Sequence, residues 1–105
     1  MKIVRETIIR PAKGYEKEVA ATLEELGDFL ATQPGFIEGY TLDGINEAGL
    51  LARISVWESR DLADRSAMLD HTIALRAKLQ RMAQPGTQEL LLEIVSERHA
   101  EAVAA

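Results

Sequence analysis

The first half of the chain alternates between a β-rich run and an amphipathic one. Isoleucine, valine and threonine dominate Lys2–Arg10, which predicts a strand that ends at Pro11. Beyond it, apolar positions recur at steps of three and four residues, which predicts a helix of about five turns. These positions are Tyr15, Val19, Leu23, Leu26 and Leu30. Pro34-Gly35 then marks the end of the helical pattern.

The second half contains a predicted hairpin, a helical region and a last strand. Phe36–Leu42 and Leu50–Trp57 read as strands joined by the turn-rich segment DGINEAG. Ser59 is a predicted N-cap of a long helix. Its apolar stripe shifts near residues 70–72, so two helical segments with a bend are expected. After Pro85-Gly86, Thr87–Ser96 is the last predicted strand.

The order β-α-β-β-α-β predicts an α+β, ferredoxin-like sandwich, with a four-stranded antiparallel sheet and the helices on one face. We expect residues 1–96 to form one domain and the Ala-rich residues 97–105 to form a tail.

The two faces of the predicted sheet are hard to tell apart, because both carry apolar residues. We expect the all-apolar set Leu50, Ala52, Ile54 and Val56 to face the helices. The opposite face then holds Leu51, Arg53, Ser55 and Trp57, together with Ile3, Arg5, Thr7 and Ile9 of the first strand. That face is apolar enough to need a cover, and a second copy of the sheet is the expected one, which predicts a homodimer.

Composition limits the partners. A net charge of -5 disfavours nucleic acid or an anionic membrane as the main partner. No apolar run is long enough to span a membrane, and the start of the chain lacks the apolar core of a signal peptide. The absence of cysteine excludes thiolate metal sites and fits a reducing compartment, so we expect a cytoplasmic protein.

Three segments resemble the antibiotic biosynthesis monooxygenase (ABM) family of dimeric α/β barrels. They read PAKGYEKEV, PGFIEGYTL and ISVWESRDLADRSAMLDH, and the likeness extends over about Lys2–Val95. The resemblance implies a homodimer whose sheets pack together and a pocket between sheet and helices in each subunit. It also implies oxygenation of small cyclic substrates such as quinols or polyketide-type phenols, often without metal or flavin.

The resemblance also suggests site residues. Family members often place a histidine fourteen positions after the strand-end tryptophan, which here is His71 after Trp57. His71 is therefore the candidate general base; its alternative is a solvated or backbone-bonded residue at the helix bend. The haem-degrading branch is disfavoured, because its tryptophan, asparagine and histidine positions read Ser66, Thr7 and Arg76 here.

Other polar and aromatic side chains are candidates for substrate binding. Arg53 could hold a carboxylate or an enolate, with a salt bridge from Arg5 or Arg53 to Glu93 or Glu38 as the alternative. Trp57 could stack on a flat substrate or simply pack, and Tyr40 could donate to an oxyanion. The remaining candidates are Thr7 and Ser55.

The resemblance implies that no cofactor is needed. We also expect no protein-held metal, since His71 and His99 are the only histidines. Two other functions stay open on this scaffold. One is an isomerase or degradative enzyme for a small metabolite, and the other is a non-catalytic dimeric binding or stress-response module.

Overall fold

The computed structural model describes residues 1–101 and contains one antiparallel sheet covered by helices on one face. Its elements are β1 (Ile3–Ile9), α1 (Glu16–Leu30), β2 (Phe36–Asp43), β3 (Leu51–Trp57), α2 (Arg60–Ala67), α3 (Asp70–Arg81) and β4 (Gln88–Glu93). The strand order β2-β3-β1-β4 and the antiparallel pairing confirm the predicted ferredoxin-like fold. The predicted tail begins after β4, and its residues 102–105 lie outside the described part.

The helical region after β3 is divided in two. Ser59 Oγ accepts a hydrogen bond from the backbone N–H of Leu62, which confirms the predicted N-cap. α2 ends at Ala67, and Leu69 is extended (φ -68°, ψ 142°) before α3 begins at Asp70. The break therefore lies just before the shift in the apolar stripe that predicted a bend.

Gly35 is required where α1 returns to the sheet. Its φ of +86° lies in the left-handed region, which disfavours side chains. A Cβ at this position would also lie 2.5 Å from Leu62 Cδ1, so α2 packs directly on this turn. The carbonyl of Gly35 accepts a hydrogen bond from Glu58 N (2.8 Å), which links the turn to the end of β3.

The helices cover the face opposite to the predicted one. Ile3, Ile9 and Trp57 belong to the same buried cluster as residues from all three helices. The assignment of Leu50, Ala52, Ile54 and Val56 to the helices was therefore wrong. Counting apolar residues failed as a guide because this protein buries polar side chains under its helices and leaves an apolar face uncovered.

The register defines the two faces. The helix face carries Ile3, Arg5, Thr7, Ile9, Phe36, Gly39, Thr41, Asp43, Leu51, Arg53, Ser55, Trp57, Glu89, Leu91 and Glu93. The open face carries Val4, Glu6, Ile8, Glu38, Tyr40, Leu42, Ala52, Ile54, Val56, Gln88, Leu90 and Leu92.

A β-bulge explains why β2 has apolar residues on both faces. Phe36 pairs with Trp57, but Glu38 pairs with Val56, so Ile37 is the extra residue. The insertion inverts the alternation. Phe36 therefore packs against the core, whereas Tyr40 points to the open face.

No helix in residues 1–101 is long and apolar enough to cross a membrane.

Candidate functional site

A row of polar residues crosses all four strands on the helix face. Thr41 of β2 pairs with Arg53 of β3, Arg53 with Thr7 of β1, and Thr7 with Glu89 of β4. Directly paired residues on one face of a sheet are neighbours, so the row is continuous. Helices cover its centre, where Thr7 is 5% and Arg53 4% exposed. The sheet thus holds a positive charge in its interior.

The β4 end of the row is neutralised. Glu89 Oε2 forms an ion pair with Arg76 of α3, and Thr7 Oγ1 donates a hydrogen bond to Glu89 Oε1 over 3.4 Å. The Glu89 carboxylate is therefore engaged by Arg76 and Thr7, and it acts on Arg53 only through space.

Arg53 is the least compensated charge of the row. Its Nε is buried and has no hydrogen-bond partner. Burial lowers the pKa of Arg53 to about 10, with Glu89 opposing and Arg5 and Arg76 reinforcing the shift. Arg53 therefore remains a cation at neutral pH. An isolated buried charge is costly, so its retention calls for a counter-charge.

Arg5 lies beside this row in a similar environment. Its Nε is also buried without a partner, while its Nη2 lies 3.5 Å from Asp64 Oδ1 of α2. Burial is the main cause that lowers its pKa. Within the chain, Arg5 pairs with Asp64 rather than with Glu93 or Glu38, the partners considered from the sequence.

Ser55 and Trp57 form a buried pair. Trp57 is fully buried and its Nε1 donates to Ser55 Oγ (2.9 Å), with Ser55 only 1% exposed. The Phe36 ring meets the Trp57 indole edge-on, with centroids 5.4 Å apart. Because these groups satisfy one another, packing accounts for them. Their predicted contact with a substrate stays a prediction.

Tyr40 lies apart from the buried row. It is on the open face, 52% exposed, and its hydroxyl donates to Glu38 Oε2 (2.5 Å). This hydrogen bond raises the pKa of Tyr40. A donor already engaged with a carboxylate must exchange that partner before it can serve an oxyanion.

His71 is also separate from the row. It lies in the first turn of α3, against α1, with its side chain 48% exposed. Its ring meets Phe29 edge-on (centroids 4.5 Å apart), and Nε2 is 4.0 Å from Glu25 Oε1. The structure therefore brings Arg53 and Thr7 together and leaves His71 on the surface between the two helices. Its role as a base stays a prediction.

A cleft opens onto the row at the β2 end. It encloses about 380 Å³ between α1 and the β2 edge of the sheet, within the size range of sites for small molecules. Its lining residues are Glu24, Gly27, Asp28, Ala31, Phe36, Gly39, Tyr40, Thr41, Arg53 and Ile54. His71, Thr7, Ser55 and Trp57 are not among them. Of the predicted site residues, Arg53 and Tyr40 line this cleft.

Sequence reasoning missed Glu89, Arg76 and Phe36 as parts of this region. Glu89 becomes recognisable only once strand pairing sets it beside Thr7. Phe36 was predicted to begin a strand but was not among the predicted site residues, because its contact with Trp57 depends on strand pairing.

Residues 1–101 contain no group of three or more histidine, aspartate or glutamate side chains placed to hold a metal ion. The expectation that the protein binds no metal stays a prediction.

Comparison with solved structures shows what the fold resembles. SnoaB, a cofactor-independent oxygenase from Streptomyces nogalater, has a TM-score of 0.77 at 17% identity, covering 94% of this chain and 95% of SnoaB. Rv0793 from Mycobacterium tuberculosis gives a TM-score of 0.86 at 14% identity, covering 94% of this chain and all of Rv0793 (100%). A protein named antibiotic biosynthesis monooxygenase has a TM-score of 0.79 at 16% identity, and the match covers 91% of this chain and 100% of that protein.

These likenesses confirm, at the level of the fold, the resemblance to the ABM family found in the sequence. A scan with family models gives no match, and no curated protein matches at a significant level. The activity therefore has to be argued from the site.

Proposed function

We propose that this protein is an ABM-type, cofactor-independent monooxygenase acting on a small cyclic or aromatic substrate, of the quinol or polyketide-like kind. The observation that carries the proposal is the cleft of about 380 Å³ with the cationic Arg53 in its lining. Phe36, on the helix face, supplies aromatic surface for a flat ring, and Tyr40 lines the cleft at the β2 edge. The shared fold with a named cofactor-independent oxygenase supports the same chemistry.

In the proposed reaction, loss of a proton from the substrate's phenol or enol gives an electron-rich anion. Arg53 stabilises that anion, because a cation in a site shielded from water interacts strongly with developing negative charge. The anion reduces dioxygen and forms a carbon–oxygen bond. For a methylene carbon, the resulting peroxide loses water to leave a carbonyl, so one oxygen atom enters the product and the other leaves as water. Dioxygen is the oxidant, and no other electron donor is needed.

His71 is the proposed base. Its position outside the cleft makes the proton transfer the step of the mechanism that most needs a test. It contacts α1 through Phe29 and does not line the cleft. A proton could reach it only through water or after a movement of α3 against α1. If it acts as the base, His71→Ala should lower turnover about 10²–10⁴-fold. The matched control is His99→Ala, at an exposed histidine beyond β4.

An oxygen electrode with a panel of quinols and anthrone-type phenols tests the activity. We expect consumption that depends on the enzyme and matches product formation one to one. Absence of oxygen uptake with every member of a panel that binds would refute the monooxygenase proposal.

A binding module of the same fold is the second candidate. It is favoured by one observation, which is that the proposed base, His71, does not line the cleft. A same-fold isomerase would have to take its base from the carboxylates that do line the cleft, Glu24 or Asp28.

The proposed assembly is a homodimer formed through the open face. That face carries large exposed side chains, with Tyr40 52%, Leu42 41%, Leu90 42% and Leu92 46% exposed. A continuous apolar sheet surface of this kind favours association. Tyr40 and Ile54 belong to the open face and also line the cleft, so the proposed interface and the cleft adjoin at the β2 edge. A cytoplasmic location and a tail formed by residues 97–105 complete the proposal.

A further inference from the structure

We infer that the cleft selects ligands carrying an anionic group, with that group bound at Arg53 and the ring against Phe36. The inference rests on the function proposed above in that the same cleft receives the substrate. It goes further by requiring a negative charge on the ligand before any reaction, such as an aromatic carboxylate.

Arg53 belongs to a group of three arginines on or above the helix face of the sheet. Arg5, Arg53 and Arg76 act on one another across the helix face, and Glu89 is the carboxylate that acts on both Arg5 and Arg53. Glu89 is already paired with Arg76, and Asp64 is paired with Arg5. Among these three arginines of the described residues, Arg53 is thus the one without an ion-pair partner, and the other carboxylates of the cleft, Glu24 and Asp28, are exposed on α1.

Arg53 borders the cleft. Arg53 is 4% exposed, its Nε has no partner, and the cleft reaches it from the β2 side. A guanidinium presents its donors in a planar fork that suits the two oxygens of a carboxylate. Thr41, its neighbour in the cleft wall, adds a hydroxyl that can donate to the same group.

Acidic side chains in the cleft lining set the orientation of the ligand. Glu24 and Asp28 of α1 also line the cleft and are exposed. Two carboxylates at the outer side disfavour a ligand that keeps its negative charge near solvent. The anionic end is therefore directed toward Arg53 and the neutral ring toward the outer part of the cleft.

The cleft offers a position for blocking it without disturbing the fold. Gly27 lies in α1 and lines the cleft, and a Cβ there meets nothing within 4 Å. Leucine is a strong helix former, so Gly27→Leu should fill the cleft while α1 is retained.

The test compares binding of 1-naphthoate and its neutral analogue 1-naphthamide by isothermal titration calorimetry. The unmodified protein should bind naphthoate about 10–100-fold more tightly, as expected for charge-assisted hydrogen bonds. Arg53→Met should abolish this preference. Arg81→Met, at an exposed arginine in the last turn of α3, should retain it. Gly27→Leu should weaken both ligands. Circular dichroism melting checks that each variant is folded.

Several outcomes would overturn the inference. Equal affinities in the unmodified protein, binding of neither ligand, a preference that persists in Arg53→Met, or unchanged binding in Gly27→Leu would each do so. Naphthoate is a ligand and not an oxidisable quinol, so its binding is independent of oxygen uptake. Anion preference without oxygen uptake would remove the proposed function alone, whereas uptake with neutral quinols and no anion preference would remove this inference alone.

Discussion

The two faces of the sheet reverse the usual distribution of polarity. The helix face, which is buried, contains Arg5, Thr7, Arg53 and Ser55 among its apolar residues. The open face is largely apolar and exposed, with Glu6 and Glu38 as its only charged residues. Burying polar groups and exposing apolar ones both cost free energy. These two features are the basis for the proposed ligand on the helix face and the proposed partner on the open face.

The helix face is not uniform, because its rows of paired residues differ in polarity. Phe36, Trp57 and Ile3 pair in a row at one end, and the row of Thr41, Arg53, Thr7 and Glu89 lies further along the sheet. The apolar row stabilises the fold, and the polar row provides the candidate site. Substitutions in the two rows should consequently affect different measurements.

The largest effect is expected at Trp57. It is fully buried and contacts Phe36, so Trp57→Ala should lower the free energy of unfolding by about 3–5 kcal/mol. Urea denaturation followed by circular dichroism measures this. Ser55→Ala is the partial control, which leaves Trp57 Nε1 unpaired and should cost about 1–3 kcal/mol. A loss below about 1 kcal/mol in Trp57→Ala would show that this row is not the centre of the core.

On the open face, a charge should act on assembly. Ile54→Lys introduces a cation into the proposed interface and should weaken dimerisation by about 3 kcal/mol or more, roughly 100-fold. Sedimentation velocity should show a mass near twice 11.6 kDa for the unmodified protein and a mass near 11.6 kDa for Ile54→Lys. Ile45→Lys is the control, because Ile45 is 95% exposed in the hairpin loop. A monomeric unmodified protein at micromolar concentration would remove the assigned role of this face.

Arg53→Met tests whether the buried cation is kept for a ligand or for stability. An uncompensated buried charge destabilises the fold. Its replacement by an apolar side chain should therefore leave the melting temperature unchanged or raise it, with a gain of up to about 1–4 kcal/mol in the free energy of unfolding. If the through-space attraction of Glu89 instead compensates the charge, the same change should cost about 3–5 kcal/mol. Thermal melting of the unmodified protein and of Arg53→Met shows whether the substitution stabilises or destabilises the fold.

A smaller effect is expected at Glu6, in the middle of the open face. It faces Ile54 and Leu90 across the sheet, and an interface there would bury its carboxylate. Glu6→Gln should therefore strengthen dimerisation by about 1 kcal/mol, roughly fivefold. Sedimentation equilibrium gives the dissociation constant. A weaker dimer would mean that a cation of the partner subunit pairs with Glu6.

The pH dependence of naphthoate binding should be the smallest effect near neutrality. Burial lowers the pKa of Arg53 to about 10, so its charge is complete at pH 7 and is lost as pH rises through about 10. Binding should thus stay constant from pH 7 to 9 and weaken above about pH 10. Calorimetry across this range, with Arg53→Met as the pH-independent control, measures it. A decline centred near pH 6.5 would instead implicate a histidine.

The order of elements and the helix–sheet sandwich follow from the sequence alone, because they depend on local signals. The three- and four-residue steps of α1, the Ser59 cap and the turn-rich hairpin each act over a few residues. Arg53 was also recognised as a candidate from the sequence, since an arginine in the middle of a strand needs a counter-charge wherever it lies.

Only the tertiary structure decided which face of the sheet the helices cover and which candidates meet. Strand alternation has a period of two and is symmetric, so it separates two faces without saying which is buried. The bulge after Phe36 inverts the alternation of β2, and α3 turns His71 toward Phe29 instead of the cleft. The meeting of Arg53 with Thr7, Glu89 and Arg76 depends on pairing between strands and on a helix far apart in the chain. Such contacts arise from the packing of the whole domain, and no local pattern encodes them.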